Sequence, residues 1–233
     1  MAPSTSEAVT SGGTAVPDDA RRMFRWVVLG VALYVILDVI AQLLPPHYSP
    51  ISQAESDLAV GPYGFVMTIN FVNRGLLSLL FLVALARTLQ ATGARWAQGR
   101  AGFLLLGVWG VGALLLAAFP TDVPSTPVSW HGAIHLVVAI IAFLAGAFGC
   151  LFLGRKFADF PVTRSAAGLA GALGVLSVLL CVVDLGLPFV APHLDARIGG
   201  LTERIFLGSV LLWIAGVSWH LARSDAATRP APV

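Results

Sequence analysis

The sequence predicts an all-α integral membrane protein: six transmembrane helices arranged as three antiparallel hairpins, with both termini cytoplasmic. Three observations carry this expectation. Charged residues make up only 11% of the 233-residue chain and apolar ones 57%, with a mean hydropathy of +0.85. A soluble domain could not cover its surface with so little charge, so most of this chain's solvent is lipid. Six apolar stretches reach the roughly 20 residues that a bilayer crossing requires. The basic residues between them then fall almost entirely on one side. Arg21, Arg22, Arg25, Arg95, Arg100, Arg155, Lys156, Arg164, Arg223 and Arg229 collect there, whereas the other side's loops carry Arg197, with Arg204 just inside the last helix. By the positive-inside rule the basic side faces the cytoplasm, and the expected location is the cell (inner) membrane. The formal charge of +2 is therefore a record of topology. It is no nucleic-acid footprint, and membrane lipids are the expected partners.

Taken in order, residues 1–20 are Ser, Thr, Ala, Gly, Pro and Asp without an apolar period, which reads as a disordered cytoplasmic tail. The first span, Phe24–Leu44, is too long for a signal-peptide core and lacks a small-x-small cleavage site. Further spans follow at Gly64–Arg87, Ala101–Phe119, His131–Leu153, Ser165–Phe189 and Leu201–His220, making one membrane domain over 21–221 and a cytoplasmic tail at 222–233. The first outer loop, Pro45 to Pro62, carries Ser49-Pro50 and the capping-box pattern Ser52-x-x-Glu55. With Ile51, Ala54 and Leu58 at helical spacing, this predicts a short surface helix, an irregular loop being the alternative.

Glycines crowd the spans: Gly107, Gly110 and Gly112 in the third, Gly146 and Gly149 in the fourth, Gly168, Gly171 and Gly174 in the fifth. In lipid such residues let backbones approach, so close helix packing is expected of all of them. Cys150 and Cys181 fall at depths separated by roughly 20 Å along the helices. A disulfide needs Cα atoms within about 7 Å, so two free thiols are expected.

The residues that a membrane should exclude are the informative ones. Asp38 in the first helix, Asn70, Asn73 and Arg74 in the second, Asp184 in the fifth, Glu203 and Arg204 in the sixth, and His131 and His135 in the fourth all fall in the outer half or at its rim. Arg74 is the deepest, on the order of 16 Å below the helix start at 1.5 Å per residue. An unpaired Arg at that depth costs at least about 3 kcal/mol, and Asp38 is its expected partner, with Asp184 second. Ionisable groups converging from several helices predict an interior polar cavity open to the outside. The stretch between Phe119 and His135 joins Asp122 to two histidines spaced i, i+4, which share a helix face. Asp122, His131 and His135 are thus the set that a Zn²⁺-like ion would use, although there is no HExxH and no cofactor is otherwise called for. Ser52 and Ser56 are conceivable nucleophiles without a GxSxG context, and no phosphate loop or dinucleotide fingerprint is present.

Short pieces in a fixed order carry a family resemblance: Ser56-Asp57-Leu58, Asn70 with Gly75, Phe119-Pro120-x-Asp122, Gly132-x-x-His135 and Gly200-Leu201-x-Glu203-Arg204. Over roughly Trp26 to His220 the chain resembles the bacterial membrane family known as domain of unknown function 998. The resemblance implies a six-helix membrane protein and supplies no chemistry; His131 and Arg74 are not part of its pattern. A looser similarity is to the alkaline ceramidase superfamily of membrane hydrolases, which place Ser, Asp and a His pair around zinc but have seven helices.

Three functions follow as expectations. The leading one is a non-catalytic outward cavity that binds a lipid headgroup or small polar ligand through Arg74, with Asp38, Asp184 and Glu203 shaping its field. The second is a metal-assisted lipid hydrolase, the ion lowering the pKa of a bound water. The third is a proton-coupled transporter relaying through Asp38, Arg74 and Asp184, which lacks the inverted repeat and broken helices such proteins use.

Overall fold

The computed structural model describes residues 16–93, 96–123 and 126–224, so most of both expected tails, and Arg95, lie outside the described residues. Six helices, all long and apolar enough to cross a membrane, account for most of the described chain: α1 (Asp18–Leu43), α2 (Gly64–Ala91), α3 (Arg100–Ala118), α4 (Trp130–Lys156), α5 (Ala167–Val190) and α6 (Pro192–Arg223).

Side-chain pairings fix how the helices run. Along α1 and α2, Tyr34 meets Asn70, Gly30 meets Asn73, and Asp19 meets Arg87, so one number falls as the other rises. Gly75 against Leu114 and Gly110 against Leu79 do the same for α2 and α3, and Gly112 against Ala142 and Gly102 against Leu153 for α3 and α4. Gly174 against Leu151 with Gly154 against Ala170, and Asp184 with Thr202 above Ala170 with Trp213, complete the series. Each helix therefore returns antiparallel beside its predecessor, and α6 packs on α1 to close the ring. The end bearing the 44–63 and 119–129 connections and the single residue Ala191 is called the upper rim below.

The lower half is sealed by aromatic packing. Trp213 lies 5.7 Å from both Phe81 and Phe157, centroid to centroid, and its indole N–H donates to the Ala170 carbonyl at 2.8 Å. At mid-height the rings of Phe143 and Phe206 meet with centroids 5.0 Å apart and planes tilted by 54°. Cys150 and Cys181 are buried, free thiols in this core.

Several expectations need correction. Not every glycine is a packing device. A Cβ at Gly174 would fall 2.8 Å from the Leu151 Cα, and one at Gly146 would fall 2.6 Å from the Trp109 ring. At Gly168 and Gly171 it would meet nothing within 4 Å, and at Gly107 only Leu82 at 3.9 Å. Those three face outward, a distinction helical spacing alone does not draw. Helix α1 begins at Asp18 instead of Phe24, its first turns anchored by buried Ala20 and Phe24. Helix α6 begins at Pro192 instead of Leu201. Proline at the first helical position loses only an N–H that would have no intrahelical partner there, and the pair Gly199-Gly200 continues the helix instead of interrupting it.

The first upper connection holds a 3₁₀ turn, Glu55–Ala59, instead of a surface α-helix, and the Ser52 capping box does not form. The Ser52 N–H points back to the Ser49 hydroxyl at 3.4 Å. Glu55 instead turns inward, 2% exposed, to accept a bond from the Tyr34 phenol.

A cavity under two stapled loops

Two loops roof the upper rim, and each is held by a compact set of contacts. The 44–63 loop is fastened by the first turns of α6. Gly200 lets the Gln53 carbonyl come so near that an added Cβ would lie 2.1 Å from its oxygen. The Leu201 N–H donates to Ile51 O at 2.9 Å. Glu203 Oε2 accepts the Glu55 N–H at 2.9 Å. Arg204 donates at 3.0 Å to the carbonyls of Pro50, Gln53 and its own Gly200, and also binds the Tyr48 hydroxyl. Burial pushes the Tyr48 phenol well above its ordinary pKa of 10, so it stays a neutral partner to Arg204.

The second loop is fastened by Asp122 and His135. Asp122 accepts the Ser129 N–H at 2.9 Å, and the Ser129 hydroxyl caps α4 by accepting from Gly132 at 3.1 Å. The side-chain and backbone bonds from Ser129 hold the Asp122 carboxyl below its ordinary pKa of 3.8. A Cβ at Gly132 would sit 1.9 Å from Asp122 Oδ2, so any larger residue there would have to displace the carboxylate. The His135 Nδ1 lies 2.7 Å from the Phe119 carbonyl. A carbonyl only accepts, which puts a proton on Nδ1; in the neutral ring Nε2 is then the acceptor.

Beneath these loops lies a cavity of about 740 Å³. Four residues singled out by sequence line it: Arg74 from α2, His135 from α4, Asp184 from α5 and Glu203 from α6. Ser52, Ser56, Asp57, Thr121 and Asp195 join them. Burial raises the Asp57 pKa from 3.8. Asp184 accepts from Thr202 Oγ1 at 3.1 Å. Pro188 has no N–H to donate, so the Asp184 carbonyl lacks its usual helical partner four residues on.

Arg74 is 1% exposed, and its guanidinium makes no hydrogen bond or ion pair among the described residues. It rests instead on aromatic faces, 4.8 Å from the centre of the Trp109 ring and 5.2 Å from that of Phe71. The expected pairing with Asp38 is thus overturned. Asp38 accepts from Gln42 at 2.5 Å with its other oxygen unpartnered, and its charged neighbours are Glu55 and Arg204. Helical depth placed Asp38 and Arg74 at comparable levels, but did not show that Glu55 turns in from the first loop to meet Tyr34 of α1.

Asp38, Asn70, Asp122, His131 and Arg204 do not line the cavity. Asn70 is buried and donates to the Tyr34 carbonyl at 3.1 Å, tying α2 to α1. His131 stacks on Trp130 with ring centroids 3.5 Å apart. The expected ligand set is not assembled either: among the described residues no three His, Cys, Asp or Glu side chains gather where they could hold a metal ion. Spacing marks Glu55 as a helix cap, whereas it fastens the first loop, and Asp195 lies in the stretch of α6 that hydropathy reads as loop.

Residues 28–220 match the family described as protein of unknown function (DUF998). No curated protein and no solved structure matched the chain.

Proposed function

The chain belongs to the DUF998 family, whose description assigns no chemistry, and we propose from the geometry that this multi-pass membrane protein binds the phosphate or other anionic group of a lipid headgroup or small polar ligand in its upper cavity. The observation that carries the reading is Arg74. A buried guanidinium at mid-membrane depth costs about 2.5–3.5 kcal/mol unless compensated. Contact with two aromatic rings returns only about 0.5–2 kcal/mol. Its donors are left free on the wall of the cavity, which His135 also lines. A bound anion would complete the pairing that the chain itself leaves open.

The distribution of basic residues supports an orientation with the upper rim outside. Arg21, Arg22, Arg25, Arg100, Arg155, Lys156, Arg164 and Arg223 lie toward the lower rim, and Arg197 and Arg204 toward the upper. Both termini are then cytoplasmic, and the cell membrane is the proposed location. The test is phosphorus content after gentle detergent extraction. Wild type should retain about one phosphate-bearing lipid or ligand per chain, and Arg74→Met should lose it; equal retention by both would reject the reading.

A further inference from the structure

We infer that the cavity selects a phospholipid whose phosphate carries a primary ammonium group, and that the lipid reaches it sideways between α4 and α5. This rests on the anion-binding reading of Arg74 and adds a headgroup and a route to it. The headgroup follows from charge complementarity. Around the one guanidinium, the same cavity is lined by four carboxylates: Asp57, Asp184, Asp195 and Glu203. A simple anion would meet Arg74 but also face the carboxyl oxygens, and a simple cation would meet the reverse. A zwitterion satisfies both walls. A primary ammonium also donates hydrogen bonds to carboxylates, whereas a quaternary one has no N–H to offer.

The route follows from how α4 and α5 pack. In their lower halves they are locked together, Gly154 under the Ala170 backbone and Gly174 against Leu151. In their upper halves Leu136 and Ile140 of α4 and Leu185, Pro188 and Phe189 of α5 line the cavity instead of closing a seam. Leu136 is 59% and Phe189 87% exposed, so these cavity-lining residues also belong to an apolar outer flank. Acyl chains would stay along that flank while the headgroup enters.

The experiment titrates the purified full chain, delipidated in detergent, with phosphatidylethanolamine, phosphatidylglycerol and phosphatidylcholine of identical acyl chains, and with free phosphoethanolamine. Native mass spectrometry reads the bound fractions. The ethanolamine lipid should bind roughly tenfold more tightly than the other two. Asp195→Asn, at the rim and outside the loop staples, and Asp184→Asn should each erode that preference. Equal binding of all three lipids, lost in Arg74→Met, would overturn the headgroup inference while leaving the anion site standing. Binding untouched by Arg74→Met would overturn both. Free phosphoethanolamine competing as strongly as the whole lipid would overturn the lateral route.

Discussion

The Arg74 guanidinium carbon lies 4.8 Å from the centre of the Trp109 ring, and no carboxylate pairs with it among the described residues. This buried charge therefore rests on the faces of aromatic rings. This inverts the usual expectation for a buried ion pair, in which removing one partner is strongly destabilising.

Arg74→Met should consequently leave stability unchanged or raise it by about 1–2 kcal/mol in ligand-free detergent, the lost desolvation penalty exceeding the lost ring contact. Thermal unfolding of the two delipidated proteins decides this. A large drop in the variant would mean that Arg74 has a structural partner.

Glycine substitutions separate packing from open surface. Gly174→Ala drives a methyl to within 2.9 Å of the Leu151 Cα and the Cys150 carbonyl, backbone atoms that cannot step aside cheaply. A cost of about 1–3 kcal/mol is expected. Gly171→Ala, one turn away with nothing within 4 Å, should be neutral or slightly stabilising. Similar melting shifts in both would contradict the seam between α4 and α5.

The contrast shows what the sequence made legible and what it did not. Span number and the rim that collects the unusual polar groups could be read from hydropathy and arginine placement, because lipid enforces both. The facing of Gly171 against Gly174 could not, since it depends on which neighbour each helix meets. Arg204 and Glu203 were visible as polar residues near the rim, yet their work is to bind loop backbone, and no spacing rule connects α6 to residues 50–55. Asp38 and Arg74 drew together in sequence because opposite charges at similar depth suggest a pair; Glu55, hidden in a loop, took the place beside α1. The cavity itself was foreseeable only as a convergence: Arg74, His135, Asp184 and Glu203 line it, joined by Asp57 from a loop that spacing reads as a short surface helix and by Asp195 from a stretch that hydropathy reads as loop.

Loosening the α6 staple should free the first loop. Arg204→Gln removes charge-assisted bonds to the Pro50 and Gln53 carbonyls, each worth about 1.5–3 kcal/mol to a charged donor. Amide exchange over residues 49–59 should accelerate by at least tenfold while the helix centres stay protected. Uniform acceleration throughout the bundle would show that Arg204 supports the whole fold instead.

The pH response at Asp57 has a definite sign. Its folded pKa is raised above 3.8 by burial, so its contribution is fully present below pH 3.8 and is lost as pH rises through the folded value. Asp57→Asn, which has no charge to bury, should gain on wild type as pH climbs from 4 to 7. Melting curves that stay parallel over that range would show that Asp57 is solvated.

The most direct measurement is the ligand-induced melting shift of delipidated wild type beside Arg74→Met, with phosphatidylethanolamine added to each. A hundredfold excess over Kd should stabilise wild type by about 2.7 kcal/mol and leave the variant unmoved. Equal shifts in the two proteins would contradict a cavity built around an unpaired Arg74.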